Sequence, residues 1–367
     1  MKIELNENKV FFNNGESVQE IHPFWLRERV DGDEFLDRGT QQRLFDPSTM
    51  NGEIIIKKAK IKNGFLEVDF NDGVNSKLDI TKLETEFSNK DTVIKSIPKK
   101  KWDSSLKNIK NFEYKEGFFE SKEMYDLLVS FYEFGFVVIK NVPTENNYIV
   151  KFANSIGSVR RTNFGEHFNV KSKSNPNDLA YTTLPLSPHT DNPYRNPVPC
   201  IQLLHCIENE VKGGFSTLVD GYTVTENLKK DNPEFYKILS EVKVRFKFTD
   251  KSVMLEDWSE LIHLDDNKEF KQVRFSPRLD FVPLMDKEKL ELYYSARKKL
   301  SELYNSDNHR IEFKLQAGDL LMMDNHRLLH GRTIYDANEG IRFLQGCYID
   351  YDSTEGKLKH LKRKFNL

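Results

Sequence analysis

Nine histidines stand in the chain, and two stretches place an imidazole in ligand-like company. In LPLSPHTDNPYR, His189 and Asp191 are two residues apart. On a strand both would point to one face, whereas the flanking Pro188 and Pro193 favour a strand end or loop. Either way, an imidazole and a carboxylate can reach one ion. In LLMMDNHRLLHGR, an apolar strand and an Asp-Asn turn precede His326 and His330. One His, one carboxylate and a distant second His, with coordination positions left open, form the facial triad of non-haem Fe(II) oxygenases. Spacing by itself is weak support, because H-x-D arises by chance in many chains.

Neighbouring residues add to it. Gly213-Gly214-Phe215-Ser216 lies between the two stretches, and Arg342 follows His330 by about a strand and a turn. An iron-bound 2-oxo acid needs a fixed cation at its far carboxylate, and an arginine fork on a neighbouring strand suits that geometry. Taken alone, Arg342 would pass for a surface or ion-paired arginine; the set together reads as a site.

The elements that must position these residues are short strands: Ile201 to Cys206, Phe215 to Val219, Val273 to Phe275, Ile311 to Leu315, Leu320 to Met323 and Arg342 to Ile349. Met124, Leu127, Leu128 and Phe131 repeat at helical spacing, and Gly135 ends that helix before a strand from Phe136 to Ile139. A second helix spans roughly Lys287 to Tyr304. Residues 116–367 thus form a larger domain of strands braced by helices, a β-sandwich or jelly roll. Residues 1–95 read as a small β-rich domain: Ile56 to Ile61 is a strand, Asn63-Gly64 a hairpin turn, and Leu66, Val68 and Phe70 alternate with polar residues. Residues 96–115, with six lysines and no sustained period, read as a linker or wrapped connection. In the C-terminal GKLKHLKRKF, Leu358, Leu361 and Phe365 share a helical face, as in a docked terminal helix with a solvated basic side.

Composition bounds the function. The 55 Lys+Arg against 57 Asp+Glu argue against a protein that neutralises many phosphates, so no nucleic-acid partner is expected. No run approaches the ~18 apolar residues of a membrane span, and MKIELNENKVFF lacks an apolar signal core, so the expectation is a cytoplasmic protein with no membrane partner. Cys200, Cys206 and Cys347 form no CxxC pair and are most simply core thiols.

SPHTDNPY, QLLHCIENEVKGGFSTLVDG and DNHRLLHGRTIYDANEGIRFLQGCYIDYD resemble the γ-butyrobetaine hydroxylase and trimethyllysine hydroxylase branch of the taurine-dioxygenase-like Fe(II)/2-oxoglutarate oxygenases. HPFWLRER extends the likeness to the N-terminal module. The resemblance implies a mainly β fold with bracing helices: a double-stranded β-helix (jelly roll) catalytic domain after the small β-rich one. It implies His189, Asp191 and His330 as iron ligands, Arg342 holding 2-oxoglutarate, Leu204 lining the cosubstrate site and Ser216 hydrogen-bonding it. His326 is then a neighbour rather than a ligand. Fe(II), 2-oxoglutarate and O2 are the implied cofactors, with ascorbate as a supporting reductant, and a homodimer is implied by the same likeness.

Members of this branch hold a trimethylammonium group in an aromatic cage, and the matching positions are Phe164, Phe168, Tyr181 and Tyr348. Taken alone, Phe164 and Phe168 would read as ordinary core in a chain with 27 Phe. Two departures stand out. Some members bind zinc through a Cys-rich cluster and a His in the N-terminal module; here VDGDEFLDRG follows WLRER with no Cys before Cys200, and no zinc is expected. At the substrate's anionic end, Asp178 replaces an Asn, and Phe275-Ser276-Pro277-Arg278 replaces an Asn-rich segment. Arg278 is the sequence's best partner for a substrate anion, or else a surface residue paired with Asp280. The expected substrate is a small quaternary-ammonium zwitterion: γ-butyrobetaine first, 2-trimethylaminoethylphosphonate second, trimethyllysine third. A relative that binds a betaine without turnover is the alternative from another class.

Overall fold

The computed structural model describes residues 2–50, 52–87, 92–171 and 183–367; Asp178 and Tyr181 lie outside these. The chain divides into two compact units, Met1–Lys95 and Ser96–Leu367.

In the first unit, two three-stranded antiparallel sheets, Lys2–Asn6 with Lys9–Asn13 and Val18–Glu20, and Ile56–Lys62 with Phe65–Phe70 and Asn75–Asp79, enclose an apolar core. Asn63 and Gly64 both take positive φ (51° and 81°), the conformation a two-residue hairpin needs to follow the strand twist, and Lys62 faces Phe65 across it. Leu66, Val68 and Phe70 are buried on one face of their strand. In the VDGDEFLDRG segment, Arg38 pairs with Asp31 and Asp33 at 2.5 and 2.7 Å.

The second unit is mixed α/β. A four-stranded sheet runs Leu186–His189, Leu328–Arg332, Ser216–Asp220, Arg310–Phe313. A six-stranded sheet runs Asn111–Glu113, Phe136–Lys140, Leu320–Asp324, Ile201–Asn209, Arg342–Ile349, Phe168–Val170. The strands braced by helices that were expected are present as a mixed α/β fold: these two sheets and two smaller ones, of three and two strands, form no closed barrel among the described residues, and helices supply much of the packing. Helices Gly221–Asp231, Pro233–Glu241 and Lys287–Asn305 build a core with the short strands between them. Helix Lys122–Phe134 is capped by the Ser121 hydroxyl and ended by Gly135 at φ 81°, and buries Met124, Leu127, Leu128 and Phe131. The terminal helix Tyr351–Phe365 docks through Leu358 and Leu361. Cys206 and Cys347 are buried free thiols and Cys200 is half-buried. Among the described residues no helix is long and apolar enough to cross a membrane.

The 96–115 segment is not a free linker. Trp102 is buried against Phe136, its indole N–H donates to Phe134 O at 2.7 Å, and Asn111–Glu113 pairs parallel with Phe136–Lys140. A single tryptophan anchor and a three-residue edge strand order the segment while its lysines stay in solvent, which leaves no periodicity to read. The strand expected over Val273 to Phe275 is Phe270–Val273, because the Phe275 backbone is taken instead by Thr190: Thr190 N donates to Phe275 O at 2.9 Å and Phe275 N to Thr190 Oγ1 at 3.0 Å.

Candidate metal centre and active-site cavity

His189 ends its strand directly opposite His330, and their rings lie 4.4 Å apart between centroids. The Thr190 contacts to Phe275 then turn the chain so that Asp191 comes back over the pair. Its Oδ1 lies 3.6 Å from Nε2 of both histidines, and the three ligand atoms fall within 4.8 Å of one another. His189 Nδ1 sits 2.9 Å from Ser187 O. A proton on that nitrogen satisfies the carbonyl and leaves Nε2 as a lone pair toward Asp191. Burial pushes the His330 imidazole down to about 4, so it is neutral and able to ligate. Burial pushes Asp191 up, but His330, His189 and the Tyr348 hydroxyl outweigh it and hold the carboxyl below its usual range. Two imidazole nitrogens and one carboxylate oxygen on one side, with a cavity on the other, suit a divalent first-row metal that keeps open positions.

Asp191 is held at both ends. Its N–H donates to Asn325 Oδ1 at 2.7 Å, while Asn325 Nδ2 donates to Asp191 O at 3.0 Å and to Pro199 O at 2.9 Å. Its second carboxylate oxygen, Oδ2, accepts from Gln202 Nε2 at 2.7 Å and from the Tyr348 hydroxyl at 2.6 Å. His326 is elsewhere: its Nε2 sits 3.1 Å from Val198 O, and its ring meets Tyr351 edge-on.

The three donors open on a cavity of about 370 Å³ lined by residues of both sheets. Arg342 enters it from the start of its strand, buried to 6% exposure, with Nε donating to Gly214 O at 3.2 Å. Gly214 takes φ 67°, and a Cβ there would lie 2.7 Å from Arg342 Nε, so the Gly-Gly turn lets the guanidinium pass. Burial, with help from the neighbouring Arg332, pushes the Arg342 pKa down to about 10, which leaves it a cation at neutral pH. Among the described residues no carboxylate pairs with it, although a buried charge ordinarily demands an opposite one. Leu204 and Ser216 line the same cavity. A buried cation lining the same cavity as the triad suits a chelating 2-oxo acid, whose far carboxylate it would hold.

Aromatic rings form the remaining wall. Phe168 lies 5.5 Å from Tyr348 and 6.5 Å from Phe164. Two rings that sequence reasoning missed extend the series: Phe248, 5.8 Å from Phe164, and Tyr194, stacked on Phe248 at 4.9 Å. Gly346, opposite Phe168 in the sheet, makes room for it; a Cβ there would sit 2.3 Å from the ring. Arg278 lines the cavity from its exposed rim, and its charge helps lower the Asp191 and His330 values. Its alternative partner is engaged: Asp280 pairs with Arg297 of the long helix, so the Arg278–Asp280 pair expected as an alternative does not form. The missed residues carried faint signals: Tyr194 stands in DNPY and Asn325 in the Asp-Asn turn, whereas Gln202 and Phe248 lie in ordinary strand patterns.

Residues 105–348 match the family model described as "Taurine catabolism dioxygenase TauD, TfdA family". The gamma-butyrobetaine dioxygenase of Pseudomonas sp. (strain AK-1) is 28% identical over 351 residues, covering 94% of this chain and 91% of that protein. The gamma-butyrobetaine dioxygenase of Homo sapiens is 33% identical over 270 residues, covering 72% of this chain and 69% of that one. The mitochondrial trimethyllysine dioxygenase of Rattus norvegicus is 26% identical over 365 residues, covering 95% and 84%. With two histidines and one carboxylate facing a cavity that holds a buried arginine, the chain belongs to the TauD/TfdA family and is an Fe(II)/2-oxoglutarate-dependent dioxygenase.

Proposed function

We propose that the protein hydroxylates a small trimethylammonium zwitterion, γ-butyrobetaine first, with His189, Asp191 and His330 holding Fe(II) and Arg342, Leu204 and Ser216 holding 2-oxoglutarate. The observation that carries the substrate class is the row of rings beside the triad, Tyr348, Phe168 and Phe164, continued by Phe248 and Tyr194. A trimethylammonium group has no N–H to donate, so ring faces and exclusion of water must supply its affinity, at about 0.5 to 2 kcal/mol per good contact. Relatives are named for γ-butyrobetaine and for trimethyllysine, both trimethylammonium compounds, which supports the class more than the individual compound.

When bound, Fe(II) with 2-oxoglutarate and O2 supplies the oxidising power that converts a C–H to a C–OH, as 2-oxoglutarate leaves as succinate and CO2. The chain's own part is placement. Arg342 anchors the cosubstrate's far carboxylate with a charge-assisted fork, and Ser216 adds a hydroxyl. The rings fix the cation so that a chosen C–H faces the metal, and they exclude water from it. In this reading the four- and six-stranded sheets are the two halves of a double-stranded β-helix over residues 116–367, residues 1–95 are a β-rich module without zinc ligands, and the protein is a cytoplasmic homodimer. Asp178 and Tyr181 would complete the substrate end.

Arg278 favours a second reading, 2-trimethylaminoethylphosphonate. A phosphonate offers more charge and three acceptor oxygens, which a guanidinium fork matches better than an amide does. Trimethyllysine ranks third. The test is a panel of quaternary-ammonium carboxylates and phosphonates with Fe(II), ascorbate and 2-oxoglutarate, read as a mass gain of one oxygen. Substrate-dependent succinate release would separate this reading from a betaine-binding relative without turnover, and its absence across the panel would favour the latter.

A further inference from the structure

Two side chains on different strands converge on one carboxylate oxygen only if the strand register puts them there, and in this chain it does. Gln202 of Ile201–Asn209 and Tyr348 of Arg342–Ile349 are direct cross-strand partners. Side chains opposite each other in an antiparallel pair project from the same face, about 4.5 to 5.5 Å apart, so both reach Asp191 Oδ2 without distorting either strand. We infer that Gln202 is a positioning residue for the metal: with the Tyr348 hydroxyl it saturates Oδ2, leaving Asp191 Oδ1 alone to bind the ion.

The amide can face only one way. Turned over, it would set Gln202 Oε1 against the Asp191 carboxylate; as it stands, Nε2 donates and Oε1 is buried with no partner among the described residues. Gln202 itself is 2% exposed. A buried amide that leaves its own carbonyl unpaired in order to reach a carboxylate is placed for that carboxylate. The consequence lies in coordination number. A carboxylate free to turn could bind through both oxygens and occupy a position that the cosubstrate or O2 requires; one whose Oδ2 takes two hydrogen bonds stays monodentate. Asn325 complements this by holding the Asp191 backbone, so main chain and carboxylate are fixed independently.

The inference rests on Asp191 being a metal ligand, and its test separates the two claims. The full chain, stripped of metal, is titrated with Co(II), whose visible spectrum reports coordination. Gln202→Met and Tyr348→Phe are compared with Asp191→Ala, and Gln202→Leu replaces the first should it fold poorly. Each donor variant is expected to weaken Co(II) about 10- to 100-fold, the usual range for lost outer-shell partners, and to change the spectrum of the bound ion. A purely structural role would lower the unfolding temperature of the metal-free chain yet leave affinity and spectrum unchanged, and that result would overturn the inference. If Asp191→Ala also kept Co(II), the metal assignment itself would fall with it.

Discussion

The two ends of the cavity are built by different physics. At the metal end Asp191 alone engages Gln202, Tyr348 and Asn325 through hydrogen bonds of 2.6 to 3.0 Å. At the substrate end the contacts are between aromatic rings, stacked, tilted or edge-on with centroids 4.9 to 6.5 Å apart, and one exposed arginine stands at the rim. Directional bonds tolerate little exchange of residue type, so the first end dictates a reaction. Ring packing accepts Phe for Tyr or Trp, so the second end dictates a substrate class and leaves the individual compound to a few rim residues.

The largest contrast should come from the ligands. His189→Ala, Asp191→Ala or His330→Ala is expected to abolish bound iron and turnover while the fold persists, whereas His326→Ala leaves both nearly intact; metal content and circular dichroism on the four variants check this. Iron loss in His326→Ala with retention in His330→Ala would reverse the assignment. Next, Arg342→Ala removes a charge-assisted pair of about 1.5 to 3 kcal/mol, so the 2-oxoglutarate KM should rise roughly ten- to a hundredfold with a much smaller change in substrate KM. Gly346→Val should do the reverse. Its side chain would drive the Phe168 ring from the wall, and losing one cation–π contact of about 0.5 to 2 kcal/mol raises substrate KM roughly 2- to 30-fold while the 2-oxoglutarate KM holds. The smallest effect is expected at the rim: Arg278→Asn should lower kcat/KM for the phosphonate by more than for γ-butyrobetaine, and equal losses, or none, would remove Arg278 from the substrate.

That same contrast governs what could be read from the chain. His189, Asp191 and His330 stand out because metal ligation restricts residue type, and the structure brings those three together. Choosing between His326 and His330 needs register: only His330 faces His189 across paired strands, while His326 sits in the preceding turn. Gln202 and Tyr348 are 146 positions apart, and nothing local marks them as neighbours until the sheet aligns them. Phe248 was hidden for a related reason, since an aromatic residue on a strand looks the same whether it faces a core or a cavity. Helix Lys122–Phe134 and the Asn63-Gly64 hairpin were legible because caps and turn residues are local. Strands braced by helices were legible in the same local way, whereas the order of the strands and the absence of a closed barrel among the described residues were not, because sheet closure depends on contacts between distant strands.

The most direct test of the substrate end compares γ-butyrobetaine with its carbon isostere, in which carbon replaces the quaternary nitrogen, so that the carboxylate stays and only the cation is lost. Measured as kcat/KM from substrate-dependent succinate release, with Fe(II) and 2-oxoglutarate saturating, γ-butyrobetaine should be favoured by roughly tenfold or more, as three cation–π contacts of at least about 0.5 kcal/mol each require. Equal values for the two compounds, or succinate release that neither stimulates, would contradict a wall of rings built to hold a trimethylammonium group.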